Sequence, residues 1–273
     1  MKKILLFFLV FLSSIGIILY THQNGLASEK KQIVITSDTL LAGMISSLLP
    51  KEGYSVEAIL PPDQCPGHYD IKIKDIEKIK HSHLIVSFKG MPFLNDSAFK
   101  DKKRLFVDSR CHNWMSPDYY EKGLNEVGEM LKNHFQKDAP TIEKLKAEEL
   151  KRLKVAIGNL KRLIEDNSLP GKKVIASSMQ KEPLEWMGFI VVAQYGRQES
   201  LSTKDIIRLT KTGKTEGVVC VVDNLQSGPE VGKSIAEALK IPHVILTNFP
   251  SEKGYIETLK ENVLTILNAL KRQ

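Results

Sequence analysis

Residues 32–49, QIVITSDTLLAGMISSLL, join a short β-branched run to a stretch with the apolar spacing of a helix. The run Gln32–Thr36 predicts a buried strand, and Thr39–Leu49 predicts the helix that follows it. Similar patterns predict further strands at Tyr54–Leu60, His83–Phe88 and Arg104–Asp108, and a helix at Lys72–Lys80. Strands that alternate with helices form parallel sheets covered on both faces. The sequence therefore predicts an α/β fold.

The second half of the chain repeats this order of elements. Strands are predicted at Lys173–Ser177, Phe189–Ala193, Gly217–Val222 and His243–Leu246, with helices running through Trp186 and at Lys204–Leu209 and Glu230–Leu239. Lys74-Asp75-Ile76 aligns with Lys204-Asp205-Ile206 at an offset of 204 − 74 = 130 residues. Such self-similarity indicates two lobes of similar plan, each Rossmann-like with a parallel sheet.

One long helix is predicted between the lobes. Asp138 provides a candidate cap, Pro140 suits the first turn, and a Lys/Glu/Leu-rich stretch continues to Asp166 before Pro170-Gly171 stops it. About 26 helical residues would form a rigid rod of roughly 39 Å. Ligands of open α/β sheets bind at the carboxyl ends of the strands, so the ligand cleft is predicted between the lobes. We predict a leader at residues 1–27, an N-terminal lobe at 28–137, an interlobe helix at 138–168 and a C-terminal lobe at 169–273.

Composition excludes several classes of protein. The 273 residues include 42% hydrophobic and 26% charged residues, which excludes a disordered chain, a collagen-like fibre and a polytopic membrane protein. The net charge is 39 − 32 = +7, without the Arg/aromatic clusters of nucleic-acid-binding proteins. Three cysteines are too few for a disulfide scaffold.

The amino terminus resembles an export signal. Two lysines precede the apolar run Ile4–Leu19, and the small residues before Ser28 allow cleavage after Ala27. An uncleaved membrane anchor is the alternative, since the run of about 16 residues approaches the roughly 17 needed for a span. No cysteine lies near the cleavage point, so a lipoprotein is not expected. We expect an exported protein, periplasmic or held at the cell surface.

Chemically useful side chains cluster in the loops that follow the predicted strands. Cys65 and His68 flank a Pro-Gly turn after the second strand, so that both can converge on one ion. Cys111 and His112 follow the fourth strand, and Met179 follows the first strand of the second lobe. The pairing of cysteine with histidine in two separate loops is the most specific signal in the chain.

These loops resemble those of the metal-binding receptors of zinc/manganese-type ABC importers. Residues 65–70, Cys-Pro-Gly-His-Tyr-Asp, are similar to the family motif Asp-Pro-His-x-Tyr-Glu, with one inserted glycine. Residues 111–114, Cys-His-Asn-Trp, are similar to a second family motif, Pro-His-x-Trp. The resemblance places His68 and His112 at the family's first two metal ligands. It places Met179 at the third ligand and Asn248 near the fourth. It also implies a two-lobed fold, a long interlobe helix and an ABC permease as partner.

The departures from the family pattern alter the expected metal. Two thiols and a thioether surround the two imidazoles, whereas the carboxylate-type positions have become neutral. Sulfur ligands favour Cu(I) or Zn²⁺ over Mn²⁺. The predicted metal ligands are Cys65, His68, Cys111, His112 and Met179. The affinity for the metal should fall on acidification, because thiols must be deprotonated to bind.

Four other residues near these loops or in the strands have expected roles. Met115 is a reserve ligand, Tyr69 and Trp114 are expected to pack beside the site, and Cys220 is expected to be a buried small hydrophobe.

The residues leave several alternatives open. Cys65 and Cys111 could instead form a disulfide, which an oxidising compartment permits. The cleft would then suit a larger metal complex such as a haem or corrinoid. A thiol oxidoreductase using Cys65 and Cys111 is disfavoured because no Cys-x-x-Cys pair is present, and metal sequestration outside transport is a further class. The main prediction is a non-enzymatic, monomeric receptor that delivers a transition-metal ion and does not bind nucleic acid.

Overall fold

Two four-stranded parallel sheets form the framework of the computed structural model, which describes residues 31–94, 99 and 101–271. The N-terminal lobe contains β1 (Gln32–Thr36), β2 (Tyr54–Ala58), β3 (Leu84–Phe88) and β4 (Arg104–Val107). The C-terminal lobe contains β5 (Lys173–Ser177), β6 (Ile190–Tyr195), β7 (Cys220–Asn224) and β8 (His243–Leu246). The strand orders β2-β1-β3-β4 and β6-β5-β7-β8 are equivalent. The prediction of two parallel-sheet lobes of similar plan is confirmed.

Eight α-helices connect and cover the sheets within the described residues. They are α1 (Thr39–Leu48), α2 (Ile73–His81), α3 (Pro117–His134), α4 (Ala139–Asp166), α5 (Lys181–Trp186), α6 (Thr203–Glu216), α7 (Glu230–Leu239) and α8 (Tyr255–Lys271). None of the helices in this part of the chain has the length and apolarity needed to span a membrane. The predicted export signal, residues 1–27, lies outside the described residues.

The central strands are buried on both faces. Val34 of β1 belongs to a hydrophobic core shared with α3 and α4, whereas its neighbour Ile35 faces a separate core on the other side of the sheet. Val174 and Ile175 of β5 likewise face two different hydrophobic cores on opposite sides of their sheet. Successive side chains of a strand point to opposite faces, so a strand covered on both sides must be apolar throughout. This explains the continuous β-branched runs in the sequence.

The predicted interlobe helix is present as the 28-residue helix α4, about 42 Å long at 1.5 Å per residue. It packs against α1 and α3 of the first lobe and against α8 of the second. Asp138 precedes it but does not cap it, because its carboxylate accepts a hydrogen bond from the Tyr54 hydroxyl at 2.6 Å. The helix therefore joins both lobes through packing along its length, and its first turn lacks a side-chain cap.

Two of the element boundaries that differ from the predictions share one local reason. Helix α6 continues to Glu216, beyond the predicted Leu209, and strand β7 begins at Cys220, later than the predicted Gly217. Gly217 has φ +65° and ends the helix in the left-handed conformation that glycine adopts without strain. The glycine thus terminates a helix and does not begin a strand.

Candidate metal site

A cleft of about 570 Å³ lies at the carboxyl ends of the strands of both lobes. Its lining comes from the segments that follow β2, β3 and β4 in the first lobe and β5, β6 and β8 in the second. Parallel strands bring their following loops to one edge of each sheet, and the two edges meet here. The cleft between the lobes is therefore where the sequence predicted it.

The loop after β4 carries Cys111 and His112 into the lining of this cleft. Arg110 and Cys111 both have left-handed backbone, with φ +51° and +62°. Such backbone is uncommon for residues other than glycine and marks a tight, specifically held turn. Cys111 is exposed and free. The turn places an accessible thiol next to an imidazole in the cleft.

The His112 ring is held on two sides. It stacks on the Tyr119 ring with centroids 3.8 Å apart and an angle of 12°, and its Nδ1 lies 2.7 Å from Glu182 Oε1 of the opposite lobe. Partial burial and the Glu182 carboxylate raise the pKa of Tyr119. A carboxylate on one ring nitrogen fixes the tautomer and leaves the other nitrogen as a metal donor, an arrangement common behind metal-ligating histidines. Nε2 is accordingly the ring nitrogen that remains for an ion.

Glu182 is the candidate site residue that the sequence did not reveal. It lies in the first turn of α5, and its second oxygen, Oε2, accepts a hydrogen bond from the Asn113 backbone N–H at 2.6 Å. One carboxylate thus joins the two lobes through two contacts. The available signal was weak, namely an acidic residue three positions after Met179 at the start of a helix that follows a strand.

Side-chain amides occupy the position where the family resemblance placed the fourth ligand. Asn248 Oδ1 accepts hydrogen bonds from Asn113 Nδ2 at 2.9 Å and from Gln180 Nε2 at 2.8 Å. Asn113 Nδ2 also donates to the backbone carbonyl of Met179. The Met179 side chain is 49% exposed and lines the cleft. Asn248 therefore serves as a hydrogen-bonding bridge between the lobes beside the thioether.

The loop after β2 is arranged differently. Cys65 and His68 are both outside the lining of the cleft, and His68 is exposed. Arg197 from the opposite lobe donates a hydrogen bond to Cys65 Sγ at 3.1 Å. The following Tyr69 is buried, and its hydroxyl donates to Asp75 at 2.6 Å, so burial and this hydrogen bond raise its pKa. We expected Tyr69 to pack beside the site, but it lies outside the cleft lining. The loop is anchored by Tyr69 and covered by Arg197.

The structure therefore brings together three of the five predicted ligands, Cys111, His112 and Met179, and leaves Cys65 and His68 apart. Among the described residues no group of three or more His, Cys, Asp or Glu side chains is close enough to hold a metal. All three cysteines are free, so the alternative disulfide between Cys65 and Cys111 is not formed. The five-residue ligand set remains a prediction.

Three further residues show how the surroundings of the loops are packed. Trp114 is buried against Phe88, with ring centroids 4.9 Å apart, as expected of a residue beside the site. Met115 is fully buried in the core and lies outside the cleft lining, which does not suit a reserve ligand. Cys220 is buried in β7, and burial raises the pKa of its thiol to about 12, in agreement with its predicted role as a small hydrophobe.

Comparison with known proteins identifies the family. Residues 34–269 match the family of the periplasmic component A of the zinc-uptake complex, ZnuA. An uncharacterised protein of Rickettsia prowazekii is 23% identical over 97% of this chain and 91% of its own length.

Two solved structures share the fold. The Mn-bound periplasmic metal-binding protein from Candidatus Liberibacter asiaticus has a TM-score of 0.73 at 15% identity, covering 88% of this chain and 100% of its own. A crystal structure of ZnuA has a TM-score of 0.73 at 16% identity, covering 88% of this chain and 99% of its own. The match over residues 34–269 and the shared two-lobed fold show that this chain belongs to the ZnuA family of periplasmic metal-binding receptors.

Proposed function

We propose that this protein is an exported, monomeric receptor that captures a transition-metal ion in the interlobe cleft and delivers it to an ABC permease. The observation that carries the proposal is the contact between His112 Nδ1 and Glu182 across the cleft. This contact orients the imidazole of His112 and leaves its Nε2 for an ion, in a cleft that the exposed Cys111 also lines. Membership of the ZnuA family supports the transport role.

We propose Cys111, His112 and Met179 as the principal ligands, because all three line the cleft. Cys65 and His68 would join them only after a movement of their loop. For Cys65 this movement must also displace the Arg197 guanidinium, since a cation on the sulfur opposes a second cation there. The two loops therefore contribute unequally to the proposed site.

The donor types favour zinc or copper(I) over manganese. Thiolate and thioether sulfur suit Cu(I), thiolate and imidazole suit Zn²⁺, and Mn²⁺ prefers carboxylate, carbonyl and water oxygens. The nearby Glu182 carboxylate is occupied by its two hydrogen bonds, and the Asn248 amide oxygen by two more. Few free hard oxygen donors remain beside the sulfur atoms.

Metal uptake by the protein lacking residues 1–27 tests this proposal. Native mass spectrometry with elemental analysis, performed in reductant after incubation with zinc, copper(I) or manganese, should show one zinc or copper ion per chain. The variant His112→Ala should lose the ion. His81→Ala, which removes an exposed imidazole at the end of α2, should retain it. A protein that takes up neither zinc nor copper in reductant would refute the proposal.

A further inference from the structure

The cleft is much larger than a single metal ion requires. Its volume of about 570 Å³ falls within the roughly 300–1,000 Å³ typical of pockets for small molecules. A metal ion bound through donors at about 2.0–2.3 Å fills only a small part of such a space. The cleft has room for an organic ligand beside the ion.

The charges around the cleft suit an anion. Three basic side chains line it, Lys89, Lys181 and Arg197, against the single carboxylate of Glu182. That carboxylate already accepts hydrogen bonds from the opposite lobe. Clefts lined mainly by one sign of charge concentrate ligands of the opposite sign. The lining therefore attracts anions.

Arg197 is the basic residue least compensated by protein charges. Lys89 pairs with Asp108 at 2.9 Å and Lys181 lies 3.9 Å from Glu185, whereas Arg197 has no carboxylate partner within the part of the chain that the structure describes. Its one side-chain hydrogen bond there goes to Cys65 Sγ. A guanidinium carries five N–H donors and binds carboxylates in a bidentate manner. Most of its donors are left for a ligand.

The protein donors alone also leave the coordination of an ion incomplete. Cys111, His112 and Met179 supply three donors, whereas zinc takes four in a tetrahedral site. We infer that the cargo is an anionic carboxylate chelate of the metal, whose ion binds at Cys111 and His112 while its carboxylates contact Arg197 and Lys181. This inference rests on the proposed function and specifies the form in which the metal is captured.

Equilibrium dialysis with radiolabelled zinc and radiolabelled citrate tests the inference directly. Citrate serves as the probe because it is a small carboxylate chelator of zinc. The protein lacking residues 1–27, in reductant, should retain zinc and citrate together in equal amounts. Retention of zinc should exceed the value expected from the free zinc concentration by at least about tenfold, equivalent to 1.4 kcal/mol.

Variants of Arg197 separate the two parts of the ligand. Arg197→Gln should reduce the retained citrate by about tenfold or more, whereas Arg197→Lys should restore part of the citrate binding. Arg208→Gln is the matched control, since Arg208 is an exposed residue of α6 in the same lobe. Unchanged citrate retention in Arg197→Gln would overturn the inference.

The remaining outcomes distinguish this inference from the proposed function. Zinc retained without citrate would overturn the inference and leave the receptor function standing. Citrate retained equally well without zinc would also overturn it, because the inference requires the metal and the carboxylates together. Retention of neither probe would overturn the inference, and the proposed function would also be overturned if zinc supplied without citrate were not retained.

Discussion

The loops after β2 and β4 have similar composition, each with a cysteine and a histidine, but the structure uses them differently. His112 is stacked on Tyr119, oriented by Glu182 and exposed to the cleft. His68 is exposed outside the cleft lining, and Cys65 lies under the Arg197 guanidinium. The comparison shows that residue type alone does not place a side chain in the cleft lining. The loop after β4 has a contact from the opposite lobe that orients its histidine.

The largest expected effect is the loss of zinc affinity in His112→Ala. We expect a loss of at least about 100-fold, because this variant removes the oriented donor, and less than about tenfold in His68→Ala. Competition against a chromophoric zinc chelator in reductant measures both values. Equal losses in the two variants would contradict the unequal roles of the two loops, since they would require the His68 side chain to bind the ion as well.

A smaller effect is expected when the orienting carboxylate is changed. Glu182→Gln should weaken zinc binding by about 10–100-fold. Both carboxylate oxygens accept hydrogen bonds, whereas an amide has one accepting oxygen and would direct its NH₂ group at either His112 or the Asn113 N–H. The ring ¹⁵N shifts of His112 should also change, which a purely structural role of Glu182 would not produce.

The control is Glu185→Gln on the same short helix. Its side chain is about half exposed and lies 3.9 Å from Lys181, so zinc affinity should stay near that of the unmodified protein. Similar zinc affinities for Glu182→Gln and Glu185→Gln would show that the carboxylate does not position His112.

The packing behind the loop after β4 gives the next prediction. A Cβ at Gly123 of α3 would lie 2.3 Å from the Trp114 ring, so Gly123→Ala should lower the free energy of unfolding by about 1–3 kcal/mol. Gly158 of α4 has no heavy atom within 4 Å of such a Cβ, and Gly158→Ala should raise the free energy of unfolding by roughly 0.5–1 kcal/mol. Urea unfolding measures both, and the same sign for the two variants would contradict the packing described.

The smallest effect concerns thiol reactivity. Cys111 is exposed and Cys65 is half-buried, so Cys111 should be alkylated a few times faster, at about pH 8. Cys220 should not react in the folded protein, because it is buried and burial raises its pKa to about 12. Mass spectrometry of peptides after timed alkylation gives the three rates. Bound zinc should protect Cys111 more than Cys65, and the reverse order of protection would contradict the comparison.

Local sequence patterns were sufficient to predict most of the fold. The bounds of β5, α7 and β8 match the predictions, because each is a continuous run that begins directly after a Pro or a charged residue. Helix α3 was not predicted from the sequence. It contains Gly123 and Gly128, which lower helix propensity, yet Trp114 and Lys146 pack closely against these two positions. Tertiary packing therefore stabilises a helix that local pattern does not reveal.

The site was predictable only in part. The loops that follow the strands identified Cys111, His112 and Met179, because topology alone brings strand ends to one edge. Glu182 could not be found in this way, since it meets His112 across 70 residues of sequence and from the other lobe. The contact of Arg197 with Cys65 spans 132 residues and is equally invisible locally. Contacts between the lobes depend on how the lobes are docked, which no local pattern encodes.

Anomalous diffraction at the zinc absorption edge, from crystals of the reduced protein loaded with zinc, locates the bound ion. We expect one strong peak in the interlobe cleft, about 2.0–2.1 Å from His112 Nε2 and about 2.3 Å from Cys111 Sγ, with Glu182 still on His112 Nδ1. A peak held by Cys65 and His68 without His112, or a peak outside the cleft, would show that the loop after β4 does not form the metal site.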